Sequence, residues 1–328
     1  MIRDVVVYDI PLRVPFRGID RRTGVLFRGE AGWAEWSPFE EYADDEAATW
    51  LRAALEVAHR GFPPPVRQVV PVNAIVPALP PEAAAERARA AGCRTAKVKV
   101  AQTGQSLDDD VARVAAVRAA LGPGARIRVD ANGAWSLAEA TQALRELSTF
   151  GLEYAEQPCA TVEKLAELRR ALSARDIAVP IAADESIRRA EDPLRVRALD
   201  AADLAVLKVQ PIGGVRRCLE VAEQLAMPVV VSSAVETSVG LCAGVALAAA
   251  LPELPFDCGL ETANLLSADV TRAPLVPVEG SLLVGQVVVD DDRLAAVRAT
   301  GPTKRRWFER LWRVARIVGE EIEGGRGE

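Results

Sequence analysis

Apolar and polar stretches alternate regularly through the middle of the chain. From residue 70 to about residue 261, short apolar runs typical of strands are each followed by a polar loop and an amphipathic helical stretch. The predicted strands end near eight residues, at intervals of 21 to 31 positions: Ala78, Lys99, Asp130, Glu156, Asp184, Lys208, Ser232 and Gly259. Eight strands at that spacing, with helices between them, predict parallel βα units that close into a barrel. Because no long helical stretch follows Gly259, the α/β fold should be a modified (β/α)7β barrel.

The first part of the chain predicts a smaller α+β unit. Three short strands are expected at residues 2–9, 24–28 and 32–37, followed by a helix at residues 45–60. Between the first two strands, residues 15–22 are predicted to form a loop that could meet a polar ligand. A proline-rich turn at residues 63–65 then marks a boundary.

The last part of the chain predicts a strand at residues 281–289, a short helix at 291–299 and a longer helix at 303–321. The longer helix has an apolar face and a basic side. We expect the apolar face to pack on the N-terminal unit or on a second subunit, and a membrane-surface or partner role for the basic side is the alternative. The predicted organisation is an α+β capping domain at residues 1–68, a barrel at 69–280, and a segment at 281–328 that packs back on the cap.

Composition narrows the possible functions. The 328 residues include 40 Lys and Arg against 46 Asp and Glu, a net charge of −6 with the signs interspersed, so we expect no nucleic-acid partner. No apolar run is long enough to cross a bilayer, and the first ten residues lack the layout of a signal peptide. We therefore expect a cytoplasmic protein without membrane insertion. The pattern leaves open whether it is a monomer or a homo-oligomer.

The cysteines and the histidine exclude several kinds of site. Five cysteines are scattered without a CxxC pair, which is typical of small buried apolar residues. The single histidine, His59, lies near the end of a predicted helix and is expected to be a surface residue. Ser-His-Asp triads, His-ligated zinc and a second histidine base are therefore excluded.

Two lysines stand inside an apolar strand. Lys97 and Lys99 are separated by one valine, so their side chains face the same side of the strand. If the alternate residues pack outward against helices, both ammonium groups point toward an interior that normally excludes charge. Such a pair requires carboxylates, a metal or an anionic substrate nearby.

The ends of the following strands supply carboxylates. Asp130, Glu156 and Asp184 end three consecutive predicted strands, and Lys208 ends the next. The carboxyl ends of barrel strands surround one mouth of the barrel. One such carboxylate could equally be a helix N-cap, but three together would repel each other, and a divalent cation would keep them ionised. Oxygen ligands alone favour Mg²⁺, with Mn²⁺ as a substitute. Ion pairing with these carboxylates is the alternative explanation of the lysines.

This set of residues suits proton transfer next to a carboxylate. A cation that binds a substrate carboxylate stabilises the enediolate that forms when the α-proton leaves. A lysine close to a second lysine and to a cation has a lowered pKa and can act as a general base. With lysines on both sides, the site could eliminate a leaving group or racemise a carbon.

The chain resembles the enolase superfamily, muconate lactonising subgroup, in five motifs that follow the family's order: Lys97-Val98-Lys99, Asp130-Ala131-Asn132, Glu156-Gln157-Pro158, Asp184-Glu185-Ser186 and Lys208. The resemblance covers nearly the whole chain, including the capping domain. It implies that Asp130, Glu156 and Asp184 hold Mg²⁺. It also implies that Lys99 is the acid-base residue and Lys208 its counterpart.

Within this subgroup the chain is similar to the dehydratases of menaquinone biosynthesis. The similar segments are residues 17–18, 24–26, 32–38, 130–136 and 259–262, although Glu261 stands where those enzymes usually have Asp. The resemblance implies a lyase that dehydrates 2-succinyl-6-hydroxy-2,4-cyclohexadiene-1-carboxylate to 2-succinylbenzoate. Lys99 would remove the α-proton and return it to the departing hydroxide, while Lys208 would stabilise the enediolate.

The same resemblance implies the substrate contacts. Ser232, Ser233 and Gly259 would help bind the succinyl tail, and the loop from Phe16 to Arg22 would close over it. Lys97 would tune the pKa of Lys99 and contact the substrate carboxylate. Asn132 and Arg17 are the other expected contacts, so the expected partner is a small-molecule carboxylate.

Other functions stay open at this point. Relatives in the subgroup racemise N-succinylamino acids or epimerise dipeptides with the same metal and lysines, and Glu261 could bind the amine of a dipeptide. A non-catalytic metal-binding scaffold is the alternative from another class.

Overall fold

The N-terminal unit is a small antiparallel sheet with one helix. The structure is a computed structural model that describes residues 1–189 and 192–322. The unit contains β1 (Arg3–Phe16), β2 (Ile19–Arg28), β3 (Trp33–Trp36) and α1 (Asp44–Arg60). The strands follow each other in the sheet, so β1 is an edge strand.

The predicted loop at residues 15–22 is wrong. β1 and β2 continue until Phe16 pairs with Ile19, and only Arg17 and Gly18 form the turn, with φ of 53° and 76°. Positive φ at both central residues is typical of the type I′ hairpin turn. The prolines at positions 11 and 15 conceal this strand in the sequence. They lie where the pairing of β1 with β2 is irregular, between Pro11 and Phe16, and such irregular positions tolerate proline.

The central unit is a parallel barrel. Its strands and helices alternate as β4 (Val69–Pro71), β5 (Ala74–Val76), α2 (Pro81–Ala90), β6 (Thr95–Lys99), α3 (Leu107–Leu121), β7 (Arg126–Asp130), α4 (Leu137–Leu147), β8 (Leu152–Glu156), α5 (Val162–Ser173), β9 (Ile181–Ala183), α6 (Glu185–Arg188), α7 (Arg195–Ala198), β10 (Leu204–Leu207), α8 (Val209–Ile212), α9 (Val215–Leu225), β11 (Val229–Val231) and α10 (Ser238–Ala250). The seven strands β5 to β11 form one sheet in sequential order.

A short eighth segment joins the two edges of this sheet. Cys258 makes a parallel bridge to Val72, and Gly259 makes one to Ser232. Only a 3-10 turn, Thr262–Leu265, follows this segment directly, where the seven preceding strands are each followed by α-helix. The predicted (β/α)7β barrel is therefore confirmed.

Local sequence signals fix where several barrel helices begin. Ser106 and Ser136 each accept a hydrogen bond from the backbone three residues later, and the acidic residue there bonds back to the serine N–H. Such capping boxes satisfy backbone donors that the first helical turn leaves free. They begin α3 and α4 just beyond the strand ends that carry the charged residues.

The C-terminal segment returns to the N-terminal unit, as predicted. It contains β12 (Ser281–Leu283), α11 (Asp291–Ala296) and α12 (Gly301–Val318). The predicted strand at 281–289 is too long, because β4 offers only three residues to pair with β12. The apolar face of α12 packs on the cap, where the rings of Trp307 and Trp36 lie 5.5 Å apart in an edge-to-face arrangement. Residues 323–328 of this segment lie outside the described residues. In the part of the chain that is described, no helix has the length and apolar character needed to cross a bilayer.

Candidate active site

The predicted charged residues meet at the carboxyl end of the barrel. Lys99 on β6 is the register partner of Asp130 on β7, and Asp130 is in turn the partner of Glu156 on β8. Asp184 directly follows β9, and Lys208 directly follows β10. Five adjacent strands therefore bring these side chains to one level of the barrel mouth.

Lys97 lies deepest in this group. Its side chain is almost fully buried, and Nζ donates to both carboxylate oxygens of Glu156 at 2.8 Å. Asp130 Oδ2 is 3.4 Å from the same nitrogen. Burial alone would lower the pKa of this lysine, but the two carboxylates outweigh it and hold the pKa well above its usual range. Lys97 is therefore a permanent cation rather than a proton carrier.

Lys99 lies nearer the mouth and has a different charge balance. Its Nζ donates to Asp130 Oδ2 at 2.5 Å and to the side-chain oxygen of Asn132, and it lies 5.3 Å from the centre of the Phe16 ring. Burial lowers the pKa of Lys99, and the positive charge of Lys97 adds to this effect, although Asp130 opposes it. The lowered pKa suits a general base.

Lys208 faces this pair from the other side of the site. Its Nζ donates to Asp184 Oδ2 at 2.5 Å. The other oxygen of Asp184 accepts from Nε of Arg188 at 3.0 Å. Each of the three lysines is therefore paired with one of the carboxylates, as the alternative explanation of the lysines required.

The sequence analysis missed Arg188. This side chain lines the cavity and contacts Asp184 and Glu185 from the short helix α6. Its position four residues after Asp184 is a signal that could have found it, because residues i and i+4 of a helix lie on the same face.

The pKa values of the three carboxylates shift in different directions. Burial and the negative charges of Asp130 and Asp184 raise the pKa of Glu156. For Asp184, burial is outweighed by Arg188 and Lys208, which lower its pKa to about 2. The pKa of Asp130 is also lowered, because Lys99 and Lys97 outweigh its burial. Crowded acids thus remain charged where cations compensate them.

The donor set fits a divalent cation. Three buried carboxylates on neighbouring strands offer only oxygen, the ligand type that Mg²⁺ and Mn²⁺ prefer. Beside them, Oε2 of Glu185 is buried and has no hydrogen-bond partner. Within residues 1–189 and 192–322, however, no three acidic, histidine or cysteine side chains point at one common position, because the lysine nitrogens bind the carboxylate oxygens.

A cavity lies between these charged residues and the turn of the β1–β2 hairpin. It is lined by Phe16, Arg17, Phe39, Ile75, Lys97, Lys99, Asp130, Asn132, Arg188, Lys208, Pro211, Ser232, Ser233, Ala234, Val235 and Thr262. Apolar side chains from the cap and the barrel thus surround the lysines on the cavity wall. The structure brings together there all the expected substrate contacts except Gly259.

Gly259 supports the cavity wall from behind. Its carbonyl accepts from the hydroxyl of Ser233 at 2.8 Å. A Cβ at this position would lie 2.6 Å from Ser232 Oγ, so a side chain would displace a residue of the wall. The glycine is therefore required by close packing against Ser232.

Glu261 does not line the cavity. Its two oxygens are each 2.6 Å from Arg87 Nη2, and they also accept from the N–H of Ile75 and the amide of Asn264. The carboxylate thus links the last barrel segment to β5 and α2. It is not placed to bind the amine of a dipeptide.

Family models match both the barrel and the N-terminal unit. Residues 81–287 match the family model described as enolase C-terminal domain-like, and residues 7–58 match the enolase N-terminal domain-like model. This chain belongs to the enolase superfamily. Members of the superfamily generally use a divalent metal, which agrees with the oxygen donors at the strand ends.

Relatives and solved structures place the chain within the superfamily. It is 59% identical to the o-succinylbenzoate synthase of Thermobifida fusca over 96% of this chain and 97% of the relative. It is 53% identical to the o-succinylbenzoate synthase of Mycolicibacterium smegmatis over 93% of each chain. Its fold resembles that of muconate lactonizing enzyme from Pseudomonas fluorescens, with a TM-score of 0.77, 23% identity, and coverage of 91% of this chain and 98% of the other.

These comparisons confirm the predicted superfamily and the likeness to the dehydratases, which are o-succinylbenzoate synthases. The solved structures show that the chain shares the fold of muconate lactonizing enzyme. They also confirm a hydro-lyase as the expected enzyme class. The racemase, epimerase and scaffold alternatives are not favoured. N-succinyl Arg/Lys racemase from Bacillus cereus shares the fold, with a TM-score of 0.76, at 20% identity.

Proposed function

We propose that this chain is an o-succinylbenzoate synthase that dehydrates 2-succinyl-6-hydroxy-2,4-cyclohexadiene-1-carboxylate to 2-succinylbenzoate in menaquinone biosynthesis. The observation that carries the proposal is the placement of Lys99 and Lys208 on opposite sides of three buried carboxylates. Relatives of that name at 59% and 53% identity support the choice of substrate.

In this proposal Asp130, Glu156 and Asp184 hold Mg²⁺, and Mn²⁺ can replace it. When bound, the cation stabilises the negative charge that develops on the substrate carboxylate as the α-proton leaves. The positive charge of Lys97 compensates the negative charges of Glu156 and Asp130. Lys97 also lines the cavity, where it can contact a substrate carboxylate.

Lys99 is the proposed proton carrier. In its neutral form it takes the α-proton, and as an ammonium ion it returns a proton to the departing hydroxide, which leaves as water. The double bond formed in this step completes the aromatic ring. Lys208 donates to Asp184 at 2.5 Å, and it stabilises the enediolate by its positive charge.

The succinyl tail is proposed to extend toward Ser232, Ser233 and Arg17 on the cavity wall, with Gly259 acting through the position of Ser232. Asn132 orients the amine of Lys99 through its side-chain oxygen. The domain boundaries at 68/69 and 280/281 and a cytoplasmic location are part of the same proposal.

An isotope experiment distinguishes this function from that of the racemases. The purified enzyme with Mg²⁺ is incubated in D₂O with the cyclohexadiene acid and, separately, with N-succinylamino acids. We expect rapid dehydration of the first and little α-deuteration of the second. Faster deuterium exchange into an N-succinylamino acid than dehydration of the cyclohexadiene acid would contradict the proposal.

A further inference from the structure

The hydroxyl of one tyrosine connects the hairpin turn of the cap to an arginine of the barrel that contacts the acidic residues of the site. Tyr42 lies in the cap between β3 and α1, and its side chain is buried. Its oxygen accepts from Arg17 Nη2 at 2.9 Å and from Arg188 Nη1 at 2.8 Å. Arg17 belongs to the turn of the β1–β2 hairpin, whereas Arg188 belongs to α6 of the barrel.

Arg188 is held firmly on the barrel side. Its Nε donates to Asp184 at 3.0 Å, and its Nη2 donates to Glu185 at 2.5 Å. The remaining nitrogen, Nη1, is the one that reaches Tyr42. Two carboxylates therefore fix the orientation of the Arg188 guanidinium group. Because this planar group is already oriented, it loses little conformational entropy when it makes a further hydrogen bond.

Arg17 is the cation in the cavity that can best receive a further anion. Among the described residues, four cationic side chains of the cavity each contact a buried carboxylate at 3.0 Å or less: Lys97, Lys99, Lys208 and Arg188. Within the described residues, the one carboxylate that pairs with Arg17 is that of Glu41, at 3.8 Å, and the Glu41 side chain is 59% exposed. An exposed pair of this kind contributes little and is easily replaced.

The backbone of Arg17 is held in an unfavourable conformation. Its φ of 53° lies in the left-handed region, which a residue with a side chain adopts at some cost. Its guanidinium stacks on Phe39 at 4.1 Å, so one face is covered while the bond to Tyr42 fixes its rotation. Contacts from the rest of the cap therefore determine where this charge points.

We propose that Tyr42 is a positioning residue: its hydroxyl, anchored by Arg188, holds Arg17 where the cavity receives the second carboxylate of a dicarboxylate ligand. The substrate of the proposed function carries two carboxylates, one on the ring and one on the succinyl tail. The inference rests on the proposed function for the identity of this ligand only. The bridge itself, meaning the hydrogen bonds of the Tyr42 hydroxyl with Arg17 and Arg188, is a property of the fold.

The test measures binding of the product, 2-succinylbenzoate, by calorimetry with Mg²⁺ present. Tyr42→Phe keeps the ring contacts with Phe39 and Trp50 and removes the hydroxyl. We expect affinity to fall about tenfold to a hundredfold, the effect of losing a hydrogen bond that involves a charged group. In an Arg17→Met background, Tyr42→Phe should change affinity less than about threefold, because the residue acts through Arg17.

Arg189→Met is the matched control. Arg189 lies over the ring of Tyr42 at 5.2 Å but makes no bond to its hydroxyl, and its side chain is half exposed. Its replacement should leave the affinity unchanged. An equal loss of affinity from Tyr42→Phe in the wild-type and Arg17→Met backgrounds would overturn the inference.

Amide hydrogen exchange separates this inference from the proposed function. We expect residues 16–19 to exchange faster in Tyr42→Phe than in the wild type and in Arg189→Met, with or without ligand. If wild type does not bind 2-succinylbenzoate, the proposed function fails, while faster exchange still supports the bridge. Unchanged exchange in Tyr42→Phe would contradict the bridge even if the ligand binds.

Discussion

The amine of Lys99 lies 2.5 Å from Oδ2 of Asp130, so the proposed base and a proposed metal ligand contact each other directly. A cation bound by Asp130 would compete with the ammonium group for the same oxygen. Metal binding would therefore weaken the interaction that favours protonated Lys99, and its pKa would fall further. This contact links the occupancy of the metal site to the protonation of the base.

Activity should depend on a divalent cation. Exhaustive chelation followed by dialysis should abolish dehydration, and added Mg²⁺ should restore it, with Mn²⁺ as a substitute. Asp130→Asn should weaken Mg²⁺ binding, measured by calorimetry, because it removes a charged ligand. Full activity after chelation would rule out the assignment of the three carboxylates.

The pH dependence should report Lys99. A general base must be neutral, so kcat/KM should rise with pH as Lys99 loses its proton. Because burial and Lys97 lower the pKa of Lys99, the rise should be centred below the ordinary lysine value of about 10.4. Lys99→Arg keeps the charge but cannot lose its proton in this range, and it should be inactive at every pH. A rise centred at or above the ordinary lysine value would contradict the lowered pKa.

Removing Lys97 should destabilise the fold. Lys97→Met leaves Glu156 buried without its ion-pair partner, and breaking a buried pair in this way costs about 3–5 kcal/mol. The free energy of unfolding, measured with urea in the absence of added metal, checks this value. Lys164→Met on α5 is the control, since half of the Lys164 side chain is exposed and a change of less than about 0.5 kcal/mol is expected. Equal effects of the two substitutions would show that the buried pair is not needed for stability.

Gly259→Ala should disturb the cavity wall. The added Cβ would lie 2.6 Å from Ser232 Oγ, and forcing atoms into a packed site costs about 1–3 kcal/mol. Thermal unfolding should show this loss, and KM should rise because Ser232 moves. At Gly124, a Cβ meets nothing within 4 Å, so Gly124→Ala is the control for the loss of a glycine. Unchanged stability and KM in Gly259→Ala would mean that Ser232 can shift without consequence.

The barrel and the charged residues at its mouth could be predicted because both depend on short-range sequence patterns. Alternation places Lys97 and Lys99 on one face, and the repeat of strand and helix places Asp130, Glu156 and Asp184 at one end of the barrel. The pairing of each lysine with a particular carboxylate depends on register between strands, which the repeat does not specify.

The hairpin and its bridge could not be predicted in the same way. The prolines of β1 obscured the strand, so the turn at Arg17 and Gly18 was predicted as part of a longer loop. Tyr42, Arg17 and Arg188 come from three separate elements, and their meeting follows from how the cap docks on the barrel. The position of Glu261 in the sequence is compatible with binding the amine of a dipeptide. In the structure, however, its carboxylate pairs with Arg87 and does not line the cavity.

The most direct test is the rate of dehydration of the cyclohexadiene acid by purified wild type, Lys99→Ala and Lys208→Ala with saturating Mg²⁺. Both variants should keep the fold, by circular dichroism, and should largely retain Mg²⁺ binding, by calorimetry. Because Lys99→Ala loses the base and Lys208→Ala loses the charge that stabilises the enediolate, we expect rates to fall by about 10² to 10⁴ or more. Near-normal turnover in either folded variant would contradict the two-lysine mechanism.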